Sequence, residues 1–291
     1  MHTPPFSGIQ VALNNHGQFM FWGAVALVVV VLVFCISLWR RLEAPLRPFF
    51  ARLKPYAPAI SRVSVGLSLV AAAYYDAMFG PELPLSIFGT VAPFIRVALA
   101  LIGVALTFNL WSRAAAAVML ALFIVQIWLH GSYMLTYVNY LGEILVLVFF
   151  VHERLRPYAF VLLRVAFGTA LIYASFYAKI LHNDLALQVA SLPLAGHAHS
   201  LAYYFGFEPH FLVLGAAIIE LIIGAFFILG IEIRFTCIFM LFWLSLSLFY
   251  FGEVVWPHVV LIGIPVAFLC HGYDSFSLQS YFMKRRGRTA W

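Results

Sequence analysis

Charge is what this chain has least of. Only 10% of its 291 residues are Asp, Glu, Lys or Arg, while 64% are hydrophobic; soluble domains carry about 25% charged residues. A water-soluble globular domain is therefore excluded. Cysteine, at three residues, is also scarce. Cys35, Cys237 and Cys270 fall in three different apolar runs with no Cys-x-x-Cys, which excludes a dithiol exchanger of the disulfide-forming kind. The chain also has no phosphate-binding glycine loop, zinc-protease helix or serine-nucleophile elbow. The first apolar run has no basic segment before it. Leu38-Trp39-Arg40 at its end is no small-residue cleavage site, so it is expected to stay as an anchor.

What the chain has instead is apolar runs. Nine are read as membrane spans, at about 17–39, 60–79, 91–109, 112–130, 134–151, 159–181, 211–230, 233–251 and 255–271. At ~1.5 Å rise per residue, about 20 residues cross a ~30 Å hydrocarbon layer. Pro257 and Pro265 interrupt the last run, which a membrane helix tolerates when its neighbours satisfy the freed backbone groups. Of the 17 basic residues, all but Arg96 and Lys179 fall on one side of these spans. The positive-inside rule makes that side cytoplasmic, with the amino terminus outside and the carboxyl terminus inside. The net charge of +6 is then a topology signal, and no nucleic-acid partner is expected; the partner is the lipid bilayer, in a bacterial cytoplasmic membrane.

One stretch organises the rest: Arg164 to Asp184, RVAFGTALIYASFYAKILHND. Stepping back from His182 by three or four residues gives Lys179, Ser175, Leu171, Gly168 and Arg164, one face of a helix. A similar series, Arg62, Gly66, Leu69, Ala73, Asp76, occurs earlier. Arg62 and Gly66 match Arg164 and Gly168 at an offset of 102. Gly103 and Arg113 match Gly224 and Arg234 at 121, and Asn139 and His152 match His258 and His271 at 119. Such repetition implies a duplicated unit in parallel orientation. The expected division is an outer tail, anchor and basic, proline-broken inner linker (1–59), two four-helix units (60–158 and 159–275) and a basic cytoplasmic tail (276–291). The fold class expected is therefore all-α: nine transmembrane helices, one anchor plus two pseudo-symmetric four-helix bundles.

Leu162-Leu163-Arg164, then Gly168 and Lys179, then Glu220 with Gly224 and Gly230 before Arg234, and Trp256-Pro257-His258, resemble the DoxX/DoxD superfamily of membrane proteins. The first unit departs by ending on Asp76-Ala77 where lysine would stand, and the tandem copy and leading helix are departures too. The resemblance covers about 62–271. It implies quinone-linked redox chemistry, with thiosulfate:quinone oxidoreductase the named activity.

The ionisable residues are distributed unevenly in depth. Asp76, Glu82, Arg96, His130, Glu143, Lys179, His182, Asp184, Glu208, Glu220, Glu253 and His258 fall in or near the outer half. Little beyond arginines falls in the inner half, apart from Glu43, Glu153, Glu232, Asp274, His152 and His271 at helix ends. An ionisable group at the centre of a bilayer costs ~2.5–3.5 kcal/mol or more on insertion scales, so a shared outer polar cavity is expected. Gln126 with His130, and Asn139 with Glu143, are four apart and share faces. The offsets place Glu220 and Arg96 on neighbouring turns of equivalent helices, where a buried pair would lower the cost of both.

Candidate catalytic residues are Asp76, Arg96, Glu143, Lys179, Glu220 and His258. Lys179, Arg96 or His258 would hydrogen-bond a quinone carbonyl, and Asp76, Glu143 or Glu220 would carry its protons. His130 and Asn139, with Arg96 and Lys179, are candidate cofactor contacts. An extracytoplasmic redox partner or membrane complex is the expected electron donor. His197-x-His199, with His182 and His210 nearby, offers a copper or zinc site. His130 with His258 and His152 with His271 offer haem ligands. The plainer alternatives are structural ion pairs, headgroup contacts and an interfacial aromatic belt of Trp128, Tyr173, Tyr177, Tyr203, Tyr204 and Trp256. A non-enzymatic role, in solute or metal transport or in assembly of a membrane complex, is the alternative function.

Overall fold

The computed structural model describes residues 18–150, 152–182, 184–191, 193, 200, 209–251 and 255–285, and these are all-helical apart from turns and two isolated bridges. α1 (Gln18–Leu53) passes through a 3-10 turn, Lys54–Tyr56, into α2 (Ala57–Tyr74). After a 3-10 segment, Leu85–Val91, come α3 (Ala92–Thr107) and α4 (Ser112–His130). A second such segment, Gly131–Tyr137, leads to α5 (Val138–Phe149). α6 (Arg156–Ser175) runs on into a π-helical turn, Phe176–Leu181. A short α7 (Asp184–Ser191) precedes α8 (Pro209–Leu229), α9 (Ile233–Phe251), α10 (His258–His271) and α11 (Leu278–Arg285). Proline opens α2, α3 and α6 within their first turn, where its missing N–H would have had no helical partner anyway.

Among the described residues, four stretches are long and apolar enough to cross a bilayer: Leu85–Thr107, Ser112–Phe149, Arg156–Leu181 and Pro209–Leu229. Ile233–Leu246 and His258–His271 are shorter apolar helices. Large apolar side chains stand fully outward on several of them, among them Phe94 at 75% exposure and Phe249 at 82%. Water would not tolerate so much apolar surface; lipid does. These are the helices of an integral membrane protein.

Four glycines set the packing. A Cβ on Gly66 would meet the Gly103 carbonyl oxygen at 2.7 Å, so α2 and α3 touch backbone to backbone. A Cβ on Gly168 would meet the Gly224 carbonyl oxygen at 2.5 Å, which brings α6 and α8 together in the same way. The two contacts are related by the offsets 102 and 121. A further pair of contacts follows the same numbers. Gly142 of α5 lies against Leu163 and Ala166 of α6, and Gly263 of α10 lies against Ser64 of α2. The last helix of each set of four thus packs on the first helix of the other set. The register in this part is 121, pairing Asn139 with Val260 instead of the His258 that an offset of 119 selects.

The linker expected to be broken by proline at 40–59 is instead helix over 40–53, with a break only at the 3-10 turn Lys54–Tyr56. α1 continues through Pro45 and Pro48 to Leu53, giving it a length of roughly 54 Å. The reason is tertiary. Arg40 and Glu43 are paired to residues beyond α8, and Phe50 is buried with the Arg234 guanidinium 4.5 Å above its ring. These contacts hold the segment where proline's local preference alone would release it.

Gly168→Ala and Gly66→Ala are expected to destabilise the protein by ~1–3 kcal/mol, because a backbone oxygen cannot yield as a side chain does. Gly215, in mid-α8, has nothing within 4 Å of its Cβ direction. Gly215→Ala should be neutral or stabilising by up to ~1 kcal/mol. Unfolding in mixed micelles measures all three, and an equal response at Gly168 and Gly215 would show that the close approach is not specific.

Candidate functional site

The two ends of the helix assembly differ. One gathers Arg40, Arg164, Arg234 and the acids they pair with; the other carries Asp76, Arg96, Lys179 and Glu220. At this second end each set of helices closes with one ion pair between its first and second helix. Asp76 pairs with Arg96 at 3.0 Å, and Lys179 with Glu220 at 2.6 Å. The signs are exchanged: the acid is on the first helix in one case and on the second in the other.

This corrects the expected Arg96–Glu220 pair. Each charge finds its partner within its own set of helices, because the glycine contacts bring α2 to α3 and α6 to α8. Matching turns across the repeat implies equivalent surroundings, not contact. The Asp76–Arg96 pair is open, with Arg96 46% and Asp76 62% exposed, whereas Lys179 and Glu220 are 24% and 20% exposed.

Lys179 is placed by the whole face of α6. Arg164 donates to the carbonyls of Phe227 and Ile228, Gly168 abuts Gly224, and Ser175 donates to the Ala217 carbonyl. All four contacts are with α8 and the residues at its end. Helical side chains lean toward the amino terminus, so Lys179 reaches back past Ala217 to Glu220. The π-helical turn on which it stands widens the backbone there. Such turns recur at functional positions.

Aromatic and polar groups from the first set meet this turn. Tyr177 packs edge-on to Tyr133 at 5.2 Å, lies 4.6 Å from the His182 ring and stacks with Tyr173. The hydroxyls of Tyr133 and Tyr137 both donate to Oε1 of Glu82. Trp256, just before His258, stacks on Tyr75 at 5.6 Å, which brings the start of α10 beside the Asp76–Arg96 pair. Trp128, by contrast, is 85% exposed, a position that suits a lipid interface.

Glu143 and Asn139 are both buried on α5. The Ser61 hydroxyl donates to Oε2 of Glu143, while Oε1 has no hydrogen-bond partner. Ser68 and Tyr140 hydroxyls are 2.8 Å apart. Gln126 is fully buried on α4 with neither amide atom partnered, and Nε2 of His130 is buried and unpartnered as well. Sequence reasoning missed Ser61, Ser64, Ser68, Tyr133, Tyr137 and Tyr140 as a set. The signal was present, since each group recurs at helical spacing, but uncharged hydroxyls do not stand out in an apolar run.

The densest buried polar network is at the other end, where little was expected. Arg164 Nε donates to Asp274 at 2.9 Å, Arg234 to Glu43 at 2.8 Å and Arg40 to Glu232 at 2.7 Å. Gln279 bonds both the backbone and the carboxylate of Glu232. Burial, with Glu43 and Glu232 adding to it, pushes the Tyr273 phenol above its ordinary range, so it stays a neutral donor toward Glu43. His271 stacks on Phe160 at 4.0 Å, and His152 is exposed. His197 and His199 lie outside the described residues. Among those described, no three His, Cys, Asp or Glu side chains converge on a common point.

Comparison with protein-family models, curated proteins and solved structures gives no match for this chain.

A double-mutant cycle separates the pairings. Lys179→Gln and Glu220→Gln should be coupled by ~0.5–3 kcal/mol, whereas Arg96→Gln and Glu220→Gln should add to within ~0.5 kcal/mol. Unfolding of the single and double variants in detergent measures both, and coupling between Arg96 and Glu220 would overturn the assignment.

Proposed function

We propose that the protein is a quinone-reactive redox protein whose site lies at the end of the helices carrying Lys179, Glu220 and the tyrosines around Glu82. The observation that carries this reading is the half-buried Lys179–Glu220 pair, held on a π-helical turn beside Tyr177 and Tyr133. A quinone needs a cationic or hydroxyl donor at its carbonyl and a group that supplies protons as electrons arrive. Lys179 Nζ serves as the donor and Glu220 as the proton carrier, while the exposed aromatic and aliphatic faces nearby give a lipid-dissolved ring its approach. The resemblance to the DoxX/DoxD superfamily, read as two tandem copies after an anchor helix, favours the same chemistry. A small sulfur compound or an extracytoplasmic partner would provide the electrons.

In this reading nine helices cross a bacterial cytoplasmic membrane, with the amino terminus and the Lys179 end outside and the basic end inside. A reporter fused after Trp291 should be cytoplasmic, and a cysteine replacing Ser200 should react with an impermeant reagent added outside. The reverse pattern would place the site on the wrong face for an outer donor.

A second reading is non-enzymatic, with the protein serving as an assembly partner or a solute conduit. It is favoured by the mutual satisfaction of both ion pairs, which is all that a clasp between helices requires. Mass spectrometry of lipid-soluble molecules that copurify, with a visible spectrum of the same sample, separates the two. The redox reading expects a stoichiometric quinone, and Lys179→Gln should weaken binding of a short-chain quinone by about tenfold, one hydrogen bond to a charged group. Absence of quinone from lipid-replete protein, together with unchanged binding in the variant, would favour the clasp.

A further inference from the structure

A line of hydroxyl groups runs through the first set of helices from the Glu82 end toward its centre. Glu82 is exposed and accepts from Tyr137. Tyr137 and Tyr140, one turn apart at the start of α5, have ring centroids 6.4 Å apart. The Tyr140 hydroxyl meets Ser68 at 2.8 Å. Ser68, Ser64 and Ser61 follow each other down one face of α2, and Ser64 donates to the Ser61 carbonyl at 2.8 Å. The Ser61 hydroxyl closes the line on Glu143. Ser61, Ser68, Tyr140 and Glu143 are each at most 2% exposed.

We propose that this line is a proton-exchange route, in which Glu143 takes up and releases a proton exchanged with water at Glu82 through the Tyr137, Tyr140, Ser68, Ser64 and Ser61 hydroxyls. The geometry stands apart from the quinone reading and holds whether or not a quinone is the eventual acceptor.

The plainer account is a buried hydrogen bond that joins α2 to α5. The second set of helices argues against it. The positions 102 residues after Ser61 and Ser68 are Leu163 and Ala170, and those 121 residues after Tyr140 and Glu143 are Leu261 and Ile264. Leu163, Ala170 and Ile264 are buried as deeply as their counterparts. The matching buried positions of α6 and α10 are therefore filled by aliphatic side chains. A carboxyl and its chain of hydroxyls, costly to bury, are not needed to fill such positions.

The chemistry balances without electrons. Each hydroxyl passes its proton to the next oxygen and receives one from the oxygen behind it. A Glu143 carboxylate becomes the acid, and water at Glu82 loses one proton. Of the intervals without a direct bond, Tyr137 to Tyr140 is about one turn. Ser68 to Ser61 is two turns, about 10 Å of helical rise, which the Ser64 hydroxyl divides into two steps of one turn. Each such step is within reach of one bridging water. Such a water needs polar partners. The unpartnered Oε1 of Glu143 has that capacity, and so does the Gln126 amide, one turn from Phe123, whose neighbour Phe79 touches Tyr140.

Infrared spectroscopy of the protein in lipid, transferred from H2O to D2O, tests the route. A protonated-carboxyl band should be present in the wild type and absent in Glu143→Gln. Tyr140→Phe and Ser68→Ala should keep the band and slow its deuterium shift by roughly tenfold, the effect of losing one hydrogen-bonded step. Should Glu143→Gln fail to fold, the paired change Ser61→Leu with Glu143→Ile supplies the second set's own residues and should fold without the band. Equal exchange rates in wild type, Tyr140→Phe and Ser68→Ala would overturn the proposal, as would a wild type with no such band.

Discussion

The arrangement depends on two places where helices meet without side chains between them. In lipid there is no hydrophobic force to drive helix onto helix, since the solvent is as apolar as the contact. Association rests on close packing and on hydrogen bonds between helices. Gly66 against Gly103 and Gly168 against Gly224 supply the packing. Once those backbones touch, the faces above and below them are in register. Asp76 reaches Arg96, Lys179 reaches Glu220, and Arg164 reaches the free carbonyls at the end of α8. The ion pairs follow from the glycines, not the reverse. Partly exposed pairs contribute little by themselves, whereas a backbone contact admits almost no alternative spacing.

The two sets of helices are alike in packing and unlike in electrostatics at the basic end. Arg164 is 2% exposed and bonds Asp274 and two carbonyls. Arg62, 102 residues earlier, is only half-buried and has no acidic partner among the described residues. Arg234 is buried between Glu43, Phe50 and Tyr273, while Arg113, 121 residues earlier, is exposed. The difference is α1. It lays Arg40, Glu43 and Phe50 on the second set, so Arg234 is paired and covered while Arg113 faces outward; Arg164 is held separately, by Asp274 beyond α10. A buried ion pair is weak evidence for stability but costly to break by halves. α1 is therefore fixed in register by charges that would be stranded without it.

Much of this is legible in the sequence, for a physical reason. Glycines and arginines inside apolar runs are rare, so their spacing carries information, and Arg164, Gly168, Ser175 and Lys179 do share a face that meets one helix. The wrong partner for Arg96 arose because an internal repeat tells which positions are equivalent and not which ones touch. Contacts at Asp76 and Lys179 depend on how far a side chain reaches and on the π-helical turn, neither of which periodicity records. The helix through Pro45 and Pro48 was hidden for the opposite reason. Local preference is visible in a sequence, and the Glu43–Arg234 bond that overrides it joins residues 191 apart. The hydroxyl line had a visible spacing but no charge to draw notice to it.

A repeated framework also separates what packing requires from what it merely permits. Where both sets carry the same residue type at matching positions, as with the four glycines, the fold itself accounts for it. Where they diverge, the fold has already shown that the other choice is acceptable. Ser61 against Leu163 and Glu143 against Ile264 are such divergences, and so is the exchanged sign of the two ion pairs. Lys179 and Glu220 close the second set at the end toward which the Glu82–Tyr137 line opens in the first. Tyr133 and Tyr177 join the two across the boundary between the sets. The polar groups that packing does not explain thus come from both sets, and the Tyr133–Tyr177 contact brings the Glu82 end of the hydroxyl line beside the π-helical turn that carries Lys179.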